Sequence, residues 1–141
     1  IAGFAAAAKA AARDLDAGLW DKVRDARDAL EDRLQDGADD IRIFGKDTER
    51  LPNTSYFGVP GWKGETQVMQ MDMAGFAVSA GSACSSGKIR PSQVLTAMGL
   101  DAVTASSAIR VSIGPLTTPD ELTRFADTWL AAKRRFQARA A

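Results

Sequence analysis

Nine apolar residues, Phe4, Ala8, Ala11, Leu15, Leu19, Val23, Ala26, Leu30 and Leu34, recur at steps of three or four. Only a helix, at 3.6 residues per turn, brings such positions onto one line. The spacing predicts one long amphipathic helix with a single face for a core. Gly18 interrupts it at a modest cost, and Gly37 supplies a stop. The Asp/Arg-rich run from Asp21 to Asp36 reads as a solvated face laced with i,i+3 and i,i+4 pairs.

The chain ends in a second helix with a clearer start. Thr118-Pro119-Asp120-Glu121 offers an N-cap, a proline in the first turn and a glutamate in capping-box position. Leu122, Phe125, Ala126, Trp129, Lys133 and Phe136 then form its inner stripe, with Lys133 long enough to snorkel. Between the two helices the period changes. Ile41-Arg42-Ile43, Thr54 to Val59, Phe76-Ala77-Val78 and Ile109 to Ile113 read as strands, and Pro60-Gly61 closes the second of them. Gly64 to Met73 reads as a short helix with Val68, Met69 and Met71 or Asp72 near its inner face and its three methionines as core filler. Ser92 caps another helix through Met98, ended by Gly99, and Thr104 is placed as the cap of a further turn. Short strands between helices predict a two-layer α/β (α+β) domain: a small mixed or antiparallel sheet with helices packed on one face. The 141 residues suffice for one domain with a real core.

Composition removes several kinds of chemistry. Eighteen basic residues balance eighteen acidic ones, so charge gives no case for nucleic acid or an anionic membrane. No apolar run approaches the roughly 18–20 residues of a membrane span. Histidine is absent, so the chain alone supplies no Cys/His zinc site, no Ser-His-Asp triad and no histidine base. The single cysteine cannot form an internal disulfide, which fits a reducing compartment. Ile1 is not preceded by methionine, and the first residues have no signal-peptide pattern; the expectation is a fragment of a longer protein.

That cysteine, Cys84, lies in Val78-Ser79-Ala80-Gly81-Ser82-Ala83-Cys84-Ser85-Ser86-Gly87, where nothing bulky shields it. A phosphate-binding P-loop fails here: five residues separate Gly81 from Gly87 where four are needed, and Ile89 stands where Ser or Thr would hold magnesium. A cysteine-dependent phosphatase fits better, because Cys84 to Arg90 has the spacing Cys-x-x-Gly-x-x-Arg. Against it, Ala83 replaces the usual histidine, Pro91 the usual hydroxyl residue, and the helix starts too late to cradle an anion. A third reading is a thiol that carries sulfur between two places on a loop of Gly, Ser and Ala. The plain alternative is a tight turn with an incidental cysteine. Arg110 is the other residue to single out. Alternation sets it opposite Ile109 and Val111, either as an edge-strand arginine in a surface ion pair or as a planar fork for a carboxylate.

Several blocks together carry a resemblance: Arg50-Leu51-Pro52-Asn53-Thr54, Ser79 to Gly87, Pro91-Ser92 with Val94-Leu95 and Ala97-Met98-Gly99, Ile109 to Gly114, and Thr117-Thr118 with Glu121. In order and spacing they resemble the C-terminal small domain of NifS-like cysteine desulfurases, class V pyridoxal-phosphate enzymes of fold type I. The resemblance covers nearly the whole chain, residues 1–141 as a single small domain. It implies removal of sulfur from L-cysteine, giving L-alanine and a persulfide on Cys84 for iron–sulfur cluster or related assembly. It places Arg110 on the substrate carboxylate. A selenocysteine lyase or another class V relative is the neighbouring alternative. The resemblance further implies a homodimer when full length and a sulfur-acceptor or scaffold protein as partner. The expectation is also a cytoplasmic location, with no nucleic acid, membrane or metal involved. Gln93 and Pro115 depart from residues common in relatives. The large domain that carries the Schiff-base lysine and most contacts to pyridoxal 5'-phosphate is absent from the sequence. The expectation is therefore no cofactor-binding residue here and no activity from this piece alone.

Overall fold

A computed structural model describes residues 1–81 and 91–140. Helices α1 (Ala2–Asp16) and α2 (Leu19–Asp36) occupy the region of the first stripe. They are two helices and not one, because Gly18 takes φ +68° and turns the chain between them. The stripe divides with them. α1 buries no residue, with Phe4 81% and Leu15 67% exposed, whereas α2 buries Val23, Leu30 and Leu34.

Strand β1 (Arg42–Ile43) follows, then β2 (Thr54–Gly58), helix α3 (Gly64–Met73) and strand β3 (Ser79–Ala80). Two five-residue helices, α4 (Gln93–Ala97) and α5 (Ala102–Ser106), lead into β4 (Ala108–Ser112), and α6 (Pro119–Ala140) closes the chain. The sheet runs β1-β2-β4-β3 and every pairing is antiparallel. Its backbone is therefore built around the β2–β4 ladder, from Thr54↔Ser112 to Gly58↔Ala108.

One face of that ladder, Phe57, Val59, Ile109 and Val111, packs on α2, α3 and α6 to form the main core. Trp129 lies at its centre, wholly buried, with Phe57 and Trp62 rings each 5.3 Å away. Gln67, also buried, organises the polar atoms there. Its Nε2 donates to the carbonyls of Trp62 and Ser107, both at 2.8 Å, and its Oε1 accepts from Trp129 Nε1 at 2.9 Å. Each of those groups would otherwise be an orphan in the core. Beyond the other face, Leu95, Ala105 and Ala108 make a smaller cluster with Phe44, Tyr56 and Leu100. Two glycines are required by close approach. A Cβ on Gly58 would lie 2.5 Å from the Ser107 carbonyl oxygen, and one on Gly64 2.6 Å from that of Ala108.

Several sequence expectations need correction. Phe76 to Val78 is not a strand. Gly75, at φ +85°, ends α3 with Phe76 N–H still bonded to the Met71 carbonyl, so the chain reaches the ladder only at Ser79. Of the α3 methionines only Met71 is core; Met69 and Met73 are exposed, and Gln67 takes the inner position. Asp101, not Thr104, caps α5: its carboxylate accepts from Thr104 N–H at 3.0 Å and from the Thr104 hydroxyl at 2.7 Å. The Asp21–Asp36 run does contain the expected i,i+3 pair, Asp21 with Arg24, but Arg27 and Glu31 are buried.

Candidate functional site

Arg110 stands in β4, an interior strand hydrogen-bonded to β2 on one side and β3 on the other. Ile109 and Val111 enter the core, which turns Arg110 to the opposite face, where it is exposed. Its cross-strand neighbours are Tyr56 and Ser79. Among the described residues no acidic side chain forms an ion pair with it. The surface ion pair at a sheet edge, one of the two roles open to Arg110, is thus not what the fold presents. A doubly paired strand fixes the point from which the Arg110 side chain leaves the sheet, and the guanidinium's fork of donors matches a carboxylate or phosphate.

Cys84 lies outside the described residues, as does Arg90 of the phosphatase spacing. The ends of that segment are described. Ser79 and Ala80 pair with Arg110 and Ile109. At the far end Ser92 N–H bonds the Ala105 carbonyl at 3.2 Å, and the Ser92 hydroxyl accepts from Leu95 N–H to cap α4. The segment therefore leaves the sheet beside Arg110 and returns to α5, the helix that feeds β4. The helix after it begins at Gln93, beyond Arg90, and is only five residues long. That start supports the objection to an anion cradle.

Tyr56 and Ser79 were not singled out in the sequence, because they become neighbours of Arg110 only through strand pairing. Tyr56 is half-buried, with the Phe44 ring edge-on at 5.5 Å. It lines a cavity of about 300 Å³ with Phe44, Leu51, Met98, Thr54 and Arg50. Arg50 also borders a larger, charged cleft of about 600 Å³ between α2 and residues 46–52. Its pKa is raised by the hydrogen bond to Glu31, against the lowering effect of burial.

The described lysines do not fit an aldehyde cofactor. Lys133 is buried with its Nζ 2.5 Å from an Asp40 carboxylate oxygen. Lys46, in the charged cleft, is taken by Asp32 and Gln35. Lys9, Lys22 and Lys63 are exposed.

The sequence pattern of the aminotransferase class-V family matches residues 1–125. The chain belongs to that family. Among its relatives, a cysteine desulfurase of Cereibacter sphaeroides is 41% identical over 102 residues, which span 72% of this chain and 26% of the relative. A cysteine desulfurase of Gluconacetobacter diazotrophicus is 36% identical over 127 residues, 90% of this chain and 32% of the relative. The chain thus spans about a quarter to a third of the curated relatives it matches. A solved NifS-like protein from Rickettsia africae superposes with a TM-score of 0.71 at 24% identity, over 82% of this chain and 29% of that one. That likeness shows the fold, and the antiparallel four-stranded sheet with its helices is the α+β small-domain architecture expected.

Proposed function

We propose that this chain is the small domain of a cysteine desulfurase, acting within a longer polypeptide. The observation that carries the reading is the site of Arg110: a guanidinium with no ion-pair partner among the described residues, on an interior strand beside the strand that runs directly into the Cys84 segment. Cys84 is five residues from Ser79, a chain reach of at most about 18 Å. A nucleophile on a short tether beside a carboxylate fork suits a small amino-acid substrate.

Arg110 would bind the substrate carboxylate through two parallel N–H···O bonds. Cys84, as thiolate, would take the substrate sulfur. The carbon–sulfur bond of cysteine breaks, a sulfur–sulfur bond forms on Cys84, and alanine leaves, so that a thiol and cysteine become a persulfide and alanine. The persulfide would then pass its terminal sulfur to an acceptor protein. Pyridoxal phosphate, which the family resemblance implies, would be held by polypeptide beyond this chain and would supply an electron sink when bound. Dimerisation and a cytoplasmic location belong to the same reading.

The test is the mass of the longer polypeptide after incubation with L-cysteine. A gain of one sulfur on the tryptic peptide that contains Cys84, reversed by a thiol reductant and absent from Cys84→Ser, is expected. A variant Cys84→Ser that still releases alanine and sulfide at the wild-type rate overturns the proposal.

A further inference from the structure

Glu31 takes no part in the chemistry just described, yet it is 1% exposed. A carboxylate so buried is strongly unfavourable unless it is paired and hydrogen-bonded. Here it is. Arg50 Nη1 and Nη2 donate to its two oxygens at 2.7 and 2.5 Å, and the Ser55 hydroxyl donates at 2.7 Å. One turn earlier on α2, buried Arg27 donates through Nη1 to the Leu51 carbonyl at 2.8 Å, while its Nε and Nη2 hold Asp28 at 2.9 and 2.7 Å. Two side chains at i and i+4 on α2 therefore hold residues 50, 51 and 55 at once.

Those residues lead straight to the site. The Asn53 carbonyl accepts from Ile113 N–H at 2.9 Å, and the ladder then runs Thr54↔Ser112, Ser55↔Val111, Tyr56↔Arg110. Ser55 points into the core and meets Glu31; the next residue, Tyr56, flanks Arg110 on the other face. Arg50 is also the wall shared by the charged cleft and the cavity that Tyr56 lines. Apolar residues of similar volume would serve stability as well as a buried ion pair does. What directed hydrogen bonds add is a defined position.

We infer that Arg27, Glu31 and Arg50 form a positioning clamp for substrate binding. The clamp sets β2 against β4 and so fixes the place from which Arg110 reaches the substrate, without itself touching the substrate. The inference rests on the carboxylate role proposed for Arg110.

The test uses Glu31→Gln and Arg50→Lys in the longer polypeptide, each alone and combined with Arg110→Ala. The single variants should raise KM for the amino-acid substrate three- to tenfold with kcat changed less than twofold. Combined with Arg110→Ala they should add nothing further to KM. Ser55→Ala removes one bond of the clamp and keeps the test open if either variant misfolds; a two- to threefold rise is expected. Unchanged KM in folded variants, or a rise of equal size with and without Arg110, overturns the clamp. If Arg110→Ala itself leaves KM unchanged, the carboxylate reading fails and the clamp falls with it. If Arg110→Ala raises KM and the clamp variants do not, the clamp alone fails.

Discussion

Arg110 and Arg90 divide two chemistries between them. A carboxylate-binding Arg110 predicts that Arg110→Ala in the longer polypeptide raises KM and lowers kcat/KM by ten- to a hundredfold, from the ~1.5–3 kcal/mol of a charge-assisted hydrogen bond. Arg90→Ala should then be mild. A phosphatase would show the reverse order and would hydrolyse an aryl phosphate. Steady-state kinetics with L-cysteine and with the aryl phosphate decide between them. At this scale the sequence told much about Arg110 and little about its neighbours. Alternation with Ile109 and Val111 is local and gave the face on which Arg110 lies. Strand order is not local, so neither the interior place of β4 nor Tyr56 and Ser79 could be read. Glu31 did leave a signal. With Val23, Arg27 and Leu34 it continues the inner stripe of α2, and a charge on that line calls for a buried partner.

Elements whose ends carry their own chemistry were legible. α3 runs from Gly64 to Met73 as expected, and α6 begins at the capping box. There the Thr118 N–H and hydroxyl donate to Glu121 Oε2 at 2.8 and 3.0 Å, and Glu121 N–H returns to the Thr118 hydroxyl at 3.3 Å. These bonds, first from the backbone N–H and then from the hydroxyl, lower the Glu121 pKa below its ordinary 4.5. A pKa lower in the folded state gives stability that is present above the unfolded value and lost as pH falls through the folded one. The melting temperature of Glu121→Gln should therefore lie below wild type at neutral pH, and the two should converge in acid. A constant offset down to the acid limit would exclude this linkage. β2 offers a steric counterpart. Gly58→Ala drives a Cβ into the Ser107 carbonyl and should cost about 1–3 kcal/mol in urea unfolding. That glycine was invisible as a requirement, since its neighbour comes from another part of the chain.

In the whole molecule, packing decided what pattern alone could not. The apolar stripe runs evenly through α1 and α2, but α2 packs on the sheet and α6 while α1 buries no residue. A 15-residue helix with no buried side chain is close to the limit of what water tolerates. Amides of α1 should exchange with solvent orders of magnitude faster than those of α2 or α6. Removal of residues 1–17 should shift the melting temperature of this chain by no more than a few degrees. Exchange in α1 as slow as in α6 would contradict this. No described helix is long and apolar enough to cross a membrane.

The strand order also sets a timetable. β2 pairs with β1 and β4, and β4 is reached only after α3, β3 and the two short helices. Synthesis adds ~5–20 residues each second, so Ser55, Tyr56 and Phe57 wait for seconds on the ribosome before β4 exists. Trp129, which fills the core against Phe57, arrives later still. A nascent chain stalled before Ala108 should expose a β-forming edge, be cut readily by protease and bind holdases, and resistance should appear only once α6 has cleared the exit tunnel.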